Sequence, residues 1–200
     1  MANTLSPFGF SPSGTVSGAA PNFRLSKRLI ASTYATAIYT GDAVMPVVTT
    51  ATGYIIQYAT GTVPCCGVFL GCVYLSVSRG SIVRSEFWPG SDANGDVTAY
   101  VIDNPDAMFL VQSGYTGGAV TLANVNQNAS IISTPVGSSL TGSSGMALGQ
   151  AATTSTYPFT IVGLAQDLGA GNGSDVTTPY NYVYVTFNNE IFRTGNTSIS

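Results

Sequence analysis

The sequence predicts an all-β fold: one β-barrel or β-sandwich domain, jelly-roll-like, with an extended N-terminal arm. Three observations carry this. The apolar runs are short and bounded by Gly, Pro, Asn and Asp, the pattern of strands joined by tight turns. In residues 53–60, Tyr54, Ile56 and Tyr58 alternate with Ile55, Gln57 and Ala59, which is the two-residue period of a half-buried strand. No apolar stripe of 3.6-residue period reaches helical length, so helix is expected to be minor.

Length and composition set the frame for the elements. A chain of 200 residues buries a sizeable core as a single β domain. Hydrophobic residues make up 44% and charged residues only 8%, so Ser, Thr, Asn and Gln must supply the polar surface. That balance suits a β protein packed in many copies or displayed outside a cell. A net charge of −3 with six basic residues argues against a nucleic-acid partner, because phosphate binding is driven by Lys and Arg. Neither a basic stretch leading into an apolar signal core nor a bilayer-length apolar run is present, so synthesis in a cytoplasm without a membrane partner is expected. The three cysteines are odd in number and Cys65 adjoins Cys66, which points to buried free thiols.

The first element is the arm, residues 1–22. Pro7, Pro12 and Pro21 with Gly9, Gly14 and Gly18 discourage regular structure there, yet Leu5, Phe8 and Phe10 are too apolar for an inert tail. Either the arm docks its aromatics on a neighbouring molecule or it folds back on its own domain. Residues 23–200 form the β domain. Its first strand, 23–31, sets Phe23, Leu25 and Lys27 on one face and Arg24, Ser26 and Arg28 on the other. The basic cluster Arg24, Lys27 and Arg28 is either a contact for an acidic partner or a solvated strand face.

Gly41-Asp42 reads as a turn into the next strand, and residues 53–60 follow. The block 65–112 then gathers the single Trp, all three Cys and four β-rich runs. Turn chemistry at Ser78-Arg79-Gly80, Pro89-Gly90, Asn94-Gly95 and Asn104-Pro105 separates those runs. Residues 118–123 suggest one more strand. The polar stretch 124–156 is a long loop or a set of short peripheral strands, and as a loop it is a candidate contact surface. Two strong strands, 158–166 and 180–188, close the pattern. In the last, Tyr180, Tyr182 and Tyr184 oppose Val183, Val185 and Phe187. Either both faces are buried or the tyrosines form an interface.

Motifs that carry chemistry are scarce. There is no His, which removes Ser-His and Cys-His pairs, imidazole metal sites and the commonest general base. Gly142-Ser143-Ser144-Gly145 lacks the nucleophile-elbow spacing. Asp103 and Asp106 flank Asn104-Pro105 and read as turn caps rather than an acid–base pair. Asp92-Ala-Asn94-Gly-Asp96 alternates oxygen ligands, but its Gly and its final acid are misplaced for a calcium loop, so a turn is expected. Gly169-Ala-Gly171-Asn-Gly173 has no following helix to cradle phosphate. The N-x-S/T triplets at Asn128, Asn172 and Asn196 imply nothing without a secretory route. No catalytic residue, cofactor or metal is therefore assigned, and the chain is not expected to be an enzyme.

A family resemblance rests on Pro7-Phe8-Gly9-Phe10, Gly41-Asp42-Ala43-Val44, Gly67-Val-Phe-Leu-Gly-Cys-Val-Tyr74, Phe87-Trp88-Pro89-Gly90 and Ala99-Tyr-Val-Ile-Asp-Asn-Pro105. With Phe159-Thr-Ile-Val-Gly-Leu164 and Val183-Tyr-Val-Thr-Phe-Asn-Asn189, this pattern resembles the head decoration, or cement, proteins of tailed bacteriophages, except over 124–156. The resemblance implies a structural protein on the outer capsid surface of the virion that bridges neighbouring subunits of the major capsid protein. It further implies self-association as a homotrimer or other homo-oligomer. Leu5, Phe8, Phe10, Arg24, Lys27 and Arg28 are then the expected capsid contacts, and Tyr180, Tyr182 and Tyr184 the contacts between copies. A tail, spike or adhesin module using 124–156 to bind a host glycan or receptor is the alternative. A carboxylate-pair polysaccharide hydrolase is a third reading.

Overall fold

The computed structural model describes residues 2–20, 23–49, 53–59, 63–134, 136–165 and 175–192. Twelve strands form two antiparallel sheets, the sandwich of the two architectures expected. Sheet A runs in the order β1 (Ser11–Thr15), β8 (Ala107–Gln112), β12 (Tyr182–Phe187), β11 (Phe159–Leu164), β9 (Asn128–Ile132), β10 (Ala147–Ala152). Sheet B runs β2 (Leu25–Ile30), β7 (Val97–Ile102), β5 (Gly67–Leu75), β3 (Ala43–Pro46), β4 (Ile55–Gln57). The strand β6 (Ile82–Ser85) shares with β3 the second edge of β5. Isolated bridges tie Leu29 of β2 to Tyr54 beside β4 and Ser113 after β8 to Leu148 of β10, but neither sheet closes into a barrel.

β5 is the longest strand, nine residues, and two glycines steer it. Gly67 and Gly71 have φ of +131° and +141°, a region that side chains disfavour. A Cβ on Gly67 would run into the Ile102 carbonyl and the Val101 side chain, and one on Gly71 would come within 2.9 Å of the Ser85 carbonyl oxygen. At Gly71 the pairing with β7 slips by one residue. The slip exchanges the faces, so that Phe69 before it and Cys72 and Tyr74 after it all enter one cluster.

That cluster is the second of two cores. The first lies between the sheets and joins Phe109, Val111, Phe159, Ile161, Val183, Val185 and Phe187 of sheet A to Ala43, Met45, Val68 and Ile102 of sheet B. The second lies on the opposite face of sheet B, where Trp88 and Ile38 cover Val44, Phe69, Ala99 and Val101. Trp88 is fully buried, meets Tyr74 edge-on at 5.1 Å and donates its indole N–H to the Tyr34 carbonyl. Cys65 belongs to the first core, Cys66 and Cys72 to the second, and all three thiols are free, as the sequence suggests.

Several local expectations are corrected. The arm is not free of the domain, because its residues 11–15 are β1, paired antiparallel with β8. Residues 118–123 form no strand. The Thr121 N–H and hydroxyl both turn to the Asn124 side-chain oxygen, which favours one turn of 3₁₀ helix at Leu122–Asn124. The polar stretch 124–156 contains β9 and β10, so the short-strand alternative is realised.

Candidate functional site

Of the residues expected to contact the capsid and neighbouring copies, Phe8 and Tyr182 meet one another within the chain. Gln112, fully buried at the end of β8, clamps the arm: its Oε1 accepts from the Ser6 N–H at 2.7 Å, while its Nε2 donates to the Thr4 carbonyl at 2.8 Å and the Tyr180 carbonyl at 3.0 Å. Asn3 ties the start of the arm to the chain before β12, donating to the Asp175 and Pro179 carbonyls and accepting from the Asp175 N–H. The arm thus crosses the outer face of sheet A, where Phe8 lies 5.8 Å from the Tyr182 ring. Folding back on the domain is the observed alternative.

Phe10 is no surface residue. It stacks on Phe159 at 4.3 Å, meets Phe109 edge-on at 6.5 Å and is fully buried in the first core. As a capsid contact it is corrected to a core residue, because its ring is already enclosed. Leu5 remains 40% exposed. Tyr182 and Tyr184 are half-buried on the outer face of β12, opposite the buried Val183 and Val185. Tyr182 has an intramolecular partner in Phe8. Tyr180 precedes the strand in a left-handed conformation, φ +64°, and Gln112 holds its carbonyl.

The basic cluster divides between the two faces of β2. Arg28 turns inward to Asp103, 3.0 Å away, and its guanidinium lies 5.2 Å from the Phe192 ring. The Ser26 hydroxyl donates to the other Asp103 oxygen at 2.7 Å. Arg28 is therefore an internal tie between β2 and the end of β7. Arg24 lies exposed beside the same hollow, lined also by Ser26, Asn104, Pro105 and Phe192. Lys27 points away from both, across β2, next to Tyr100 of β7.

Lys27 stands on a surface that the sequence did not disclose. The registers Lys27–Tyr100–Gly71, Leu29–Thr98–Val73–Arg84 and Leu75–Ile82 set these residues side by side across β2, β7, β5 and β6. Residues directly opposite in an antiparallel ladder share a face. This face belongs to the side of sheet B that packs on sheet A at Ile102 and Val68. At the margin of that row, where Leu25 pairs with Ile102, and beyond it sheet B outruns its cover, and Leu25, Leu29, Leu75 and Ile82 are 47%, 44%, 41% and 76% exposed. A hollow of about 380 Å³ opens there, lined by Leu25, Leu70, Arg84, Glu86 and Tyr100 among others. Arg84 lies 5.5 Å from the Tyr100 ring. The alternation of Leu25, Lys27 and Leu29 was the available sequence signal, but alternation alone does not tell a covered face from an open one.

Elsewhere the ionisable groups serve the fold. Asp42, buried at the entry to β3, accepts from the Ser144 hydroxyl at 2.5 Å, the Tyr39 N–H at 2.9 Å and Gln57 Nε2 at 2.8 Å. Burial pushes its carboxyl above the usual range, against the pull of those hydrogen bonds. Asp92 accepts from the Ser76 hydroxyl and the Ser78 N–H, fixing the turn expected at Asp92-Ala-Asn94-Gly-Asp96, and these bonds lower its pKa. Asn104 caps the Asp106 N–H. Burial pushes the Cys66 and Cys72 thiols up to about 12, and Cys65 upward too. Among the described residues no group of three or more His, Cys, Asp or Glu is placed to hold a metal ion. No described helix is long and apolar enough to cross a membrane. The glycine-rich motif 169–173 and the triplets at Asn172 and Asn196 lie outside the described residues. No family model matches the chain, and no curated protein or solved structure matches it.

Proposed function

We propose that the chain is a non-enzymatic structural protein of a virion, binding the outside of an assembled phage capsid and bridging neighbouring subunits. The major capsid protein and further copies of the chain are its partners in this reading. The overhanging face of sheet B carries it: a four-strand-wide surface with exposed Leu25, Leu29, Leu75 and Ile82 suits burial against protein. A surface so poor in charge, at 8% of residues, adds support for life in a packed array. Binding the assembled shell in preference to free subunits stabilises the shell by mass action. Adding the purified chain to expanded shells that lack it tests this. The expected result is saturation at many copies per shell with a raised shell melting temperature, and equal affinity for dissociated subunits would count against it.

One observation favours a tail, spike or adhesin role instead. The connection between β9 and β10 displays Val136 and Leu140, 71% and 93% exposed. Such a module is present in few copies, so stoichiometry in purified particles separates the two readings.

A further inference from the structure

We infer that the overhanging face of sheet B, and not the N-terminal arm, seats a shell subunit through a flat apolar surface that carries carboxylates. This deepens the shell-binding reading and rests on it. Three features identify the occupant. The first is shape: three strand spacings separate β2 from β6, roughly 14 Å, and the rows across them present side chains at one level, so the partner is flat or extended rather than a single inserted side chain. The second is apolarity, with Leu25 and Leu29 at one margin, Leu75 and Ile82 at the other, and Thr98, Tyr100 and Val73 half-buried between them.

Charge is the third. Lys27 and Arg84 rise from this face in a chain of net charge −3. The single ion pair among the described residues is Arg28–Asp103, on the opposite face, so neither cation has a described carboxylate within salt-bridge reach. Glu86 is the one carboxylate lining the hollow. A partner surface that supplies carboxylates opposite Lys27 and Arg84 gains attraction and register from both.

A second copy of this chain matches less well. Two such faces brought together about a two-fold axis set four cations, two Lys27 and two Arg84, against only the two Glu86 carboxylates. Away from this face, several of the chain's other carboxylates are engaged within the chain, Asp92 with Ser76 and Ser78, Asp96 with Tyr54, and Asp175 with Thr177. The arm is not the occupant either, because Gln112 and Asn3 hold it across sheet A.

The test compares the wild-type chain with two double variants, Lys27→Glu/Arg84→Glu and Leu75→Ser/Ile82→Ser, and with Leu122→Ser, an exposed residue on the 3₁₀ turn beside β11 of sheet A, as a control. Each is titrated onto expanded, decoration-free shells from the virus that encodes the chain, at two salt concentrations. Free oligomeric state is measured by sedimentation. Expected are a loss of affinity of about tenfold or more for both double variants, no change for Leu122→Ser, and a charge-variant defect that shrinks at high salt. Wild-type binding with undiminished double variants overturns the inference and leaves the shell-binding reading standing. No wild-type binding overturns both. Dissociation of a wild-type oligomer by the double variants assigns the face to a second copy, and that also overturns the inference.

Discussion

Replacing Phe10 with Ala separates an arm that is part of the core from an arm that hangs free. The Phe10 ring is fully buried, stacked on Phe159 at 4.3 Å and edge-on to Phe109, while its N–H donates to the Gly41 carbonyl at 2.9 Å. Truncating a fully buried Phe to Ala costs about 3–5 kcal/mol, from lost transfer free energy and an unfilled cavity. Against a total stability of about 5–15 kcal/mol, that is a large fraction. In a chain of this size each kcal/mol moves Tm by roughly 2–4 °C, so a fall of roughly 10 °C is expected. The single Trp, buried in the second core, gives a fluorescence signal for urea unfolding distant from the mutated stack. Leu5→Ala, at a 40% exposed position on the same arm, should cost under about 0.5 kcal/mol. A Phe10→Ala penalty below about 1 kcal/mol would refute the packing, because no buried aromatic stack is removed so cheaply.

Two further outcomes follow from the buried ionisable groups. The three thiols, buried and with raised pKa values, should resist a thiol reagent at pH 8 and react together only on unfolding; rapid titration of even one in the folded chain would contradict this. Asp42 has a folded pKa above its unfolded value because burial outweighs its hydrogen bonds, so the folded state holds the proton more tightly. Its contribution is fully present below the unfolded pKa, about 3.9, and is lost as pH rises through the raised folded value. Urea midpoints at pH 4 and pH 7 should therefore favour wild type over Asp42→Asn more at pH 4, and a gap that widens with pH would reverse the assignment.

The parts of the fold legible in the sequence are those written into short stretches. Residues 97–102 and 107–112 alternate and are broken by Asn104-Pro105, and they become β7 and β8 with Asn104 capping the turn. The free cysteines and Trp88 were assignable to the core from residue type alone. What escaped depended on partners far away in sequence. Arg28 and Lys27 look alike in a basic cluster, yet Asp103, 75 residues on, takes Arg28 inward and leaves Lys27 facing out. Gln112 is an ordinary polar strand end until the arm, 106 residues before it, arrives to be clamped. The overhang is a relation between two sheets: Val68 near the start of β5 packs in the core between them while Leu75 at its end is 41% exposed, and no local period encodes that difference.

The placement of the arm changes what a deletion can report. Removing residues 1–22 takes away β1, exposes the edge of β8, empties the Phe10 site and leaves Gln112 without the Ser6 and Thr4 partners that satisfy its buried amide. Loss of shell binding by such a truncation would report damage to sheet A before it reported a lost contact. Lys27, Arg84, Leu75 and Ile82 lack this defect. They lie on sheet B, outside both cores, and changing them alters a surface while the sheet that carries it keeps its ladder and its buried rows. If the shell is held by the overhang, binding and stability therefore separate by sheet, with Phe10→Ala lowering stability and Lys27→Glu/Arg84→Glu lowering affinity, and each leaving the other quantity nearly unchanged in conditions where the chain stays folded.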